Sequence, residues 1–92
     1  MNQPTPITSA DHGHGLASAF ARARRKRYVD SLIEDYVSWR EACGAVAVTY
    51  ESWRGAAPEG EEIAFRVYHA ALDHEERAAR VYEAAITAFP GQ

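Results

Sequence analysis

The sequence has 92 residues but only one cysteine, one methionine and one lysine. A lone Cys43 closes off an internal disulfide as a staple for a small fold. No apolar run approaches the roughly 18 residues that a membrane-spanning helix needs. Nothing alternates at a period of two, and the one β-branched patch, Val46 to Thr49, lies inside a sustained helical period, so strands are not expected. Phosphate-binding glycine loops, dinucleotide fingerprints and serine elbows are missing as well. A secretory leader is not expected either: the short apolar stretch from Leu16 to Ala21 is followed, not preceded, by basic residues.

Bulky apolar side chains are also few. The hydrophobic fraction is 47%, but 18 of those residues are alanine and only 25 are larger or cysteine. For a chain of 10.2 kDa such a core is marginal alone, and chains of this size usually add a disulfide, a metal or a partner subunit. The expectation is an all-α, oligomeric chain without a membrane span, placed in the cytoplasm.

Charge is split along the sequence. Arg22, Arg24, Arg25, Lys26 and Arg27 face only Asp11 within residues 1–27, whereas residues 28–92 hold five arginines against twelve acids. That asymmetry describes a basic arm on an acidic body. Residues 1–15, with Pro4, Pro6, Gly13 and Gly15 and no helical period, read as a disordered tail. Residues 16–27 read as the arm and residues 28–92 as a helical hairpin.

Two series at seven-residue spacing define the first helix, expected over 28–54. Val29, Tyr36, Cys43 and Tyr50 form one, and Leu32, Trp39, Val46 and Trp53 the other, as the a and d positions of a heptad seam. The stretch from Arg54 to Gly60 breaks the pattern. Gly55 suits a left-handed helix end, and Pro58 suits the first turn of the next helix, where Glu59, Glu61 and Glu62 meet the positive end of its dipole. The second helix, expected over 59–89, carries Phe65, Leu72, Ala79 and Ile86 in one series and Tyr68, Glu75, Tyr82 and Phe89 in the other. A row of Ala64, Ala71, Ala78 and Ala85 flanks that seam and permits close helix approach. So short a loop folds the helices back antiparallel. Counting from Tyr50 beside Phe65 then sets Val46 by Tyr68, Cys43 by Leu72, Tyr36 by Ala79, Leu32 by Tyr82, Val29 by Ile86, and Trp39 and Arg40 by Glu75 and Glu76. Ile33, Val37, Val48, Val67 and Val81 stay off the seam, which points to a second copy and a four-helix bundle.

Candidate chemistry is sparse. His69, Asp73, His74 and Glu75 group on the second helix, but a carboxylate-bridged metal bundle needs Glu-x-x-His, and Arg66 and Ala71 occupy the required positions. Small ferritin-like hairpins are excluded on the same ground, since Ala78 and Ala79 follow Glu75 and Glu76 by three. Asp11, His12 and His14 lie in the tail without fixed geometry. Cys43 sits at a seam position, where a thiol acts as a small hydrophobe, even with His69 counted about one turn away. Neither enzyme nor cofactor is therefore expected. The basic cluster Arg22, Arg24, Arg25, Lys26 and Arg27 is the expected partner contact, for an acidic protein or for nucleic acid. The acidic body and the lack of interleaved aromatics weigh against nucleic acid.

Trp53-Arg54-Gly55 at a turn between two antiparallel helices resembles the small Trp-x-Gly hairpins exported by type VII secretion systems. That resemblance implies a secreted helical hairpin as an alternative. The family's C-terminal signal, a tyrosine followed four residues later by an acid, is not matched: Leu72 follows Tyr68 and Ile86 follows Tyr82. The segments Tyr36 to Cys43 and Ala71 to Ala79 are similar to small actinobacterial helical-hairpin proteins. Together these features predict a non-catalytic assembly protein that self-associates and engages a partner through its basic arm or bundle surface, with a nucleic-acid accessory role as the alternative.

Overall fold

The computed structural model describes the backbone of residues 5–88 and the side chains of residues 15–88. Among the described residues there is no strand. Helix α1 spans Thr5–Arg54, a single 3-10 turn covers Pro58–Gly60, and α2 spans Glu61–Thr87. By its contacts the chain divides between Asp30 and Ser31. The second unit is the antiparallel hairpin, formed by the α1 residues from Ser31 onward and all of α2.

The boundaries expected at residues 15 and 27 are not helix boundaries, because α1 is continuous from Thr5. Pro6 falls in its first turn, where a missing N–H costs no intrahelical bond. Gly13 and Gly15 each cost about 1 kcal/mol relative to alanine, an amount that neighbouring good helix formers can offset. Residues 1–4 of the expected tail lie outside the described residues, as do the side chains of Asp11, His12 and His14. Phe89 lies outside them as well, and α2 ends at Thr87.

Proline, more than glycine, ends α1. Gly55 donates its N–H to Glu51 O at 3.0 Å and Ala56 donates to Trp53 O at 3.2 Å. Gly55 is not in the left-handed region expected for it, and a Cβ there would meet Glu51 O at 3.5 Å, an ordinary contact. Ala57, in contrast, is extended at φ −68° and ψ 156°, the conformation that a following proline imposes. The chain then re-enters helix through Pro58, with Gly60 N donating to Ala57 O at 2.9 Å. Glu61 and Glu62 occupy the first turn of α2, where the helix dipole favours acids.

The two helices meet along a line rotated from the expected a/d seam. On α1, Leu32, Asp35, Trp39, Ala42, Val46, Thr49 and Trp53 are half-buried or buried, whereas Tyr36 and Tyr50 remain exposed. Cys43 is half-buried at the edge. On α2 the alanine row Ala64, Ala71, Ala78 and Ala85 joins Tyr68, Leu72, Glu75, Ala79 and Tyr82 as half-buried, while Phe65 and Ile86 stay exposed. Ala42, at 1% exposure, is the one fully buried side chain among the described residues. Small side chains on both helices explain the rotation. Ala42 and Thr49 on α1 and the alanine row on α2 all lie on the less exposed side of their helices, and helix backbones can approach most closely where side chains are shortest. Val29 is half-buried but belongs to the first unit.

Candidate interaction surfaces

Aromatic rings fasten the hairpin. Trp53 stacks on Tyr68 with centroids 5.5 Å apart and meets Phe65 at 5.1 Å, and Tyr50 meets Tyr68 at 5.5 Å. Toward the open end, Trp39 stacks on Tyr82 at 5.7 Å and Tyr36 meets Tyr82 at 5.4 Å. Offset and tilted pairs of this kind each add about 0.5–1.5 kcal/mol beyond their buried area. Counting set Tyr82 beside Leu32, but its ring meets Tyr36 and Trp39. Long side chains lean toward the N-terminus of their own helix. In an antiparallel pair, two rings therefore meet past the level of their Cα atoms.

The Trp39 Nε1–H donates to Glu75 Oε2 at 2.9 Å, which fixes the expected level of residue 39 against residue 75. Glu75 is half-buried, and the indole supplies the partner that a carboxylate in that position requires. Among the described residues no three His, Cys, Asp or Glu side chains converge. His69 lies with its ring 4.7 Å from Phe65, and Asp73 and His74 are exposed. The i, i+4 charges on α2 are solvated pairs: Arg66 meets Glu62 at 3.0 Å and Arg80 meets Glu76 at 3.7 Å. Exposed pairs of this sort contribute between nothing and about 1 kcal/mol.

A second surface is what the hairpin leaves uncovered. Ile33 (53% exposed), Tyr36 (42%), Tyr50 (39%), Phe65 (39%) and Ile86 (40%) are large apolar or aromatic side chains open to solvent. Antiparallel helices match like flanks of their heptads, so the Tyr36–Cys43–Tyr50 edge of α1 lies on the same side as the Phe65–Leu72–Ile86 edge of α2. The other exposed apolar residues are dispersed. Val37 and Val48 fall on the outer face of α1, and Val67 and Val81 beside the alanine row of α2.

The third surface is the basic segment of the first unit. Arg22, Arg24, Arg25, Lys26 and Arg27 are all exposed. Lys26 Nζ donates to Asp30 Oδ2 at 2.9 Å, and this hydrogen bond, with the attraction of the carboxylate, raises the ammonium above its ordinary value. None of the four arginines has an ion-pair partner among the described residues. Arg22, Arg25, Lys26 and Val29, at helical spacing on one face, line a shallow open depression. At the turn, a second open depression is lined by Trp53, Pro58, Glu61, Glu62 and Phe65. Among the described residues no helix is long and apolar enough to cross a membrane. No family model matches the chain, nor does any curated protein or solved structure.

Proposed function

We propose that the protein is a non-catalytic helical assembly unit. Two hairpins pair into a four-helix bundle, and the basic segment at Arg22–Arg27 engages an anionic partner. One observation carries the first half. Among the described residues the hairpin encloses a single fully buried residue, Ala42, while a row of large apolar side chains on one face stays open to water. A contact line that is otherwise only half-buried offsets little of the backbone entropy of about 1–2 kcal/mol per residue lost on folding, which favours a second hydrophobic layer from elsewhere.

The four arginines, without ion-pair partners among the described residues, support the second half. An acidic protein surface is the preferred partner, because residues 28–92 carry twelve acids against five arginines and would repel a polyanion. A nucleic-acid accessory role is the second reading, favoured by the spacing of three cations along one helical face at the Arg22–Arg25–Lys26 depression. Replacing Arg22, Arg24, Arg25 and Arg27 together by alanine separates these readings while keeping good helix formers in place. Fluorescence anisotropy with labelled duplex DNA and with an acidic peptide would be read at several salt concentrations. Nucleic acid gripped by four arginines gives a log–log salt slope of about −3 to −4, whereas an acidic peptide gives a milder slope set by screening. If neither probe binds the intact chain, or if the fourfold variant binds as well as the parent, the partner-binding role is wrong.

A further inference from the structure

We propose that the uncovered face of the hairpin is closed by a second copy of this chain in one particular arrangement. A two-fold axis runs parallel to the helices and sets α1 of one copy over α2 of the other. The inference rests on the self-association read above and adds the face, the register and the residues that fix it.

The face to be covered holds Tyr36, Cys43, Tyr50, Phe65 and Leu72, with Ala47 on its rim. His69 and the charged side chains Arg40 and Glu76 lie along its edges and are exposed, as expected of a bundle interior.

Charge then selects the arrangement. Arg40 stands on the α1 rim of this face and is exposed, with no ion-pair partner among the described residues. Glu76 stands on the α2 rim, held only by Arg80 at 3.7 Å in a pair whose side chains are 64% and 68% exposed. Within one hairpin these two rims lie on opposite edges of the face and do not meet. The Trp39–Glu75 hydrogen bond sets residue 39 level with residue 75. A two-fold axis along the bundle keeps that level, so Arg40 of each copy stands two residues, about 3 Å along the axis, from the level of Glu76 of the other, within the reach of an arginine side chain, twice. Stacking α1 on α1 would leave the reciprocal pair unmade.

The intact chain and its variants are compared by sedimentation velocity over a dilution series, with helicity followed by circular dichroism. Arg40→Glu and Glu76→Arg each place like charges together twice and should raise the dimer dissociation constant about tenfold or more. The double variant R40E/E76R should recover to within about threefold of the parent. A dimeric parent with unaffected single variants, or singles that the double does not rescue, overturns this arrangement but leaves self-association standing. Ready formation of a Cys43–Cys43 disulfide between copies also overturns it, because the two thiols sit on diagonal helices. A parent that is monomeric throughout overturns both this arrangement and the function on which it rests.

Discussion

Ala42→Leu tests the packing most sharply. The side chain at 42 is 1% exposed, and the row Ala64, Ala71, Ala78 and Ala85 on α2 is half-buried. Leucine replaces a methyl by an isobutyl group at a place where small side chains let the helices approach. The helices must then separate or the side chain must leave its rotamer, at a cost of about 1–3 kcal/mol. Separation also weakens the Trp39–Glu75 bond and the Trp39–Tyr82 stack one turn away, so the upper end of that range is expected. For a domain of this length, the melting temperature should fall by roughly 5–20 °C. Ala45→Leu, on an exposed position of the same helix, is the control and should change stability by no more than about 0.5 kcal/mol. Thermal melts at 222 nm at one fixed concentration compare the three proteins. If Ala42→Leu melts with the parent, the helices do not meet along the alanine row, and the a/d seam of the heptad is the true interface.

Three further perturbations follow from the same geometry. In a double-mutant cycle with Trp39→Phe and Glu75→Leu, the singles should be destabilising and the coupling about 1–2 kcal/mol, the lower part of the range for a hydrogen bond to a charged acceptor, because the site is only half-buried. Additive losses in the melts would remove the bond. Gly55→Ala should stabilise by about 0.4–1 kcal/mol, since the native backbone suits alanine and the unfolded chain loses freedom. A loss of stability would mean that the turn needs glycine after all. The Lys26–Asp30 pair, with the lysine raised above 10.5, supports the helix fully below that ordinary value and ceases to as pH rises through the raised one. Helicity that is the same in Lys26→Met and the parent at neutral pH, and again above pH 11, would show that the pair contributes nothing.

The hairpin itself was readable because several local signals agree. Heptad spacing of Trp39, Val46 and Trp53, Pro58 in the turn and the acids after it all specify the same two helices. The line of contact was harder to read. Large side chains at Tyr36 and Tyr50 marked a stripe wider than one interface, and periodicity alone does not say which half of it α2 covers. The pairing of Ala42 and Thr49 with a full alanine row was the available signal, because two rows of small residues meet more closely than any other two rows. α1 begins at Thr5, upstream of residue 28, because a proline in a first turn and isolated glycines, which in sequence suggest a loop, are compatible with helix. For the interaction surfaces, the basic segment was visible as a charge run. The rim residues Arg40 and Glu76 were counted as near-level neighbours, but which edge of the hairpin each occupies follows only from the observed rotation of the seam.

The central claim is that this hairpin is half of a core. Light scattering on the intact chain at tens of micromolar tests it directly. The account expects a mass twice the 10.2 kDa of one chain, falling toward the single-chain value only on dilution. A mass of one chain at every concentration, from a protein that still melts cooperatively, would contradict it.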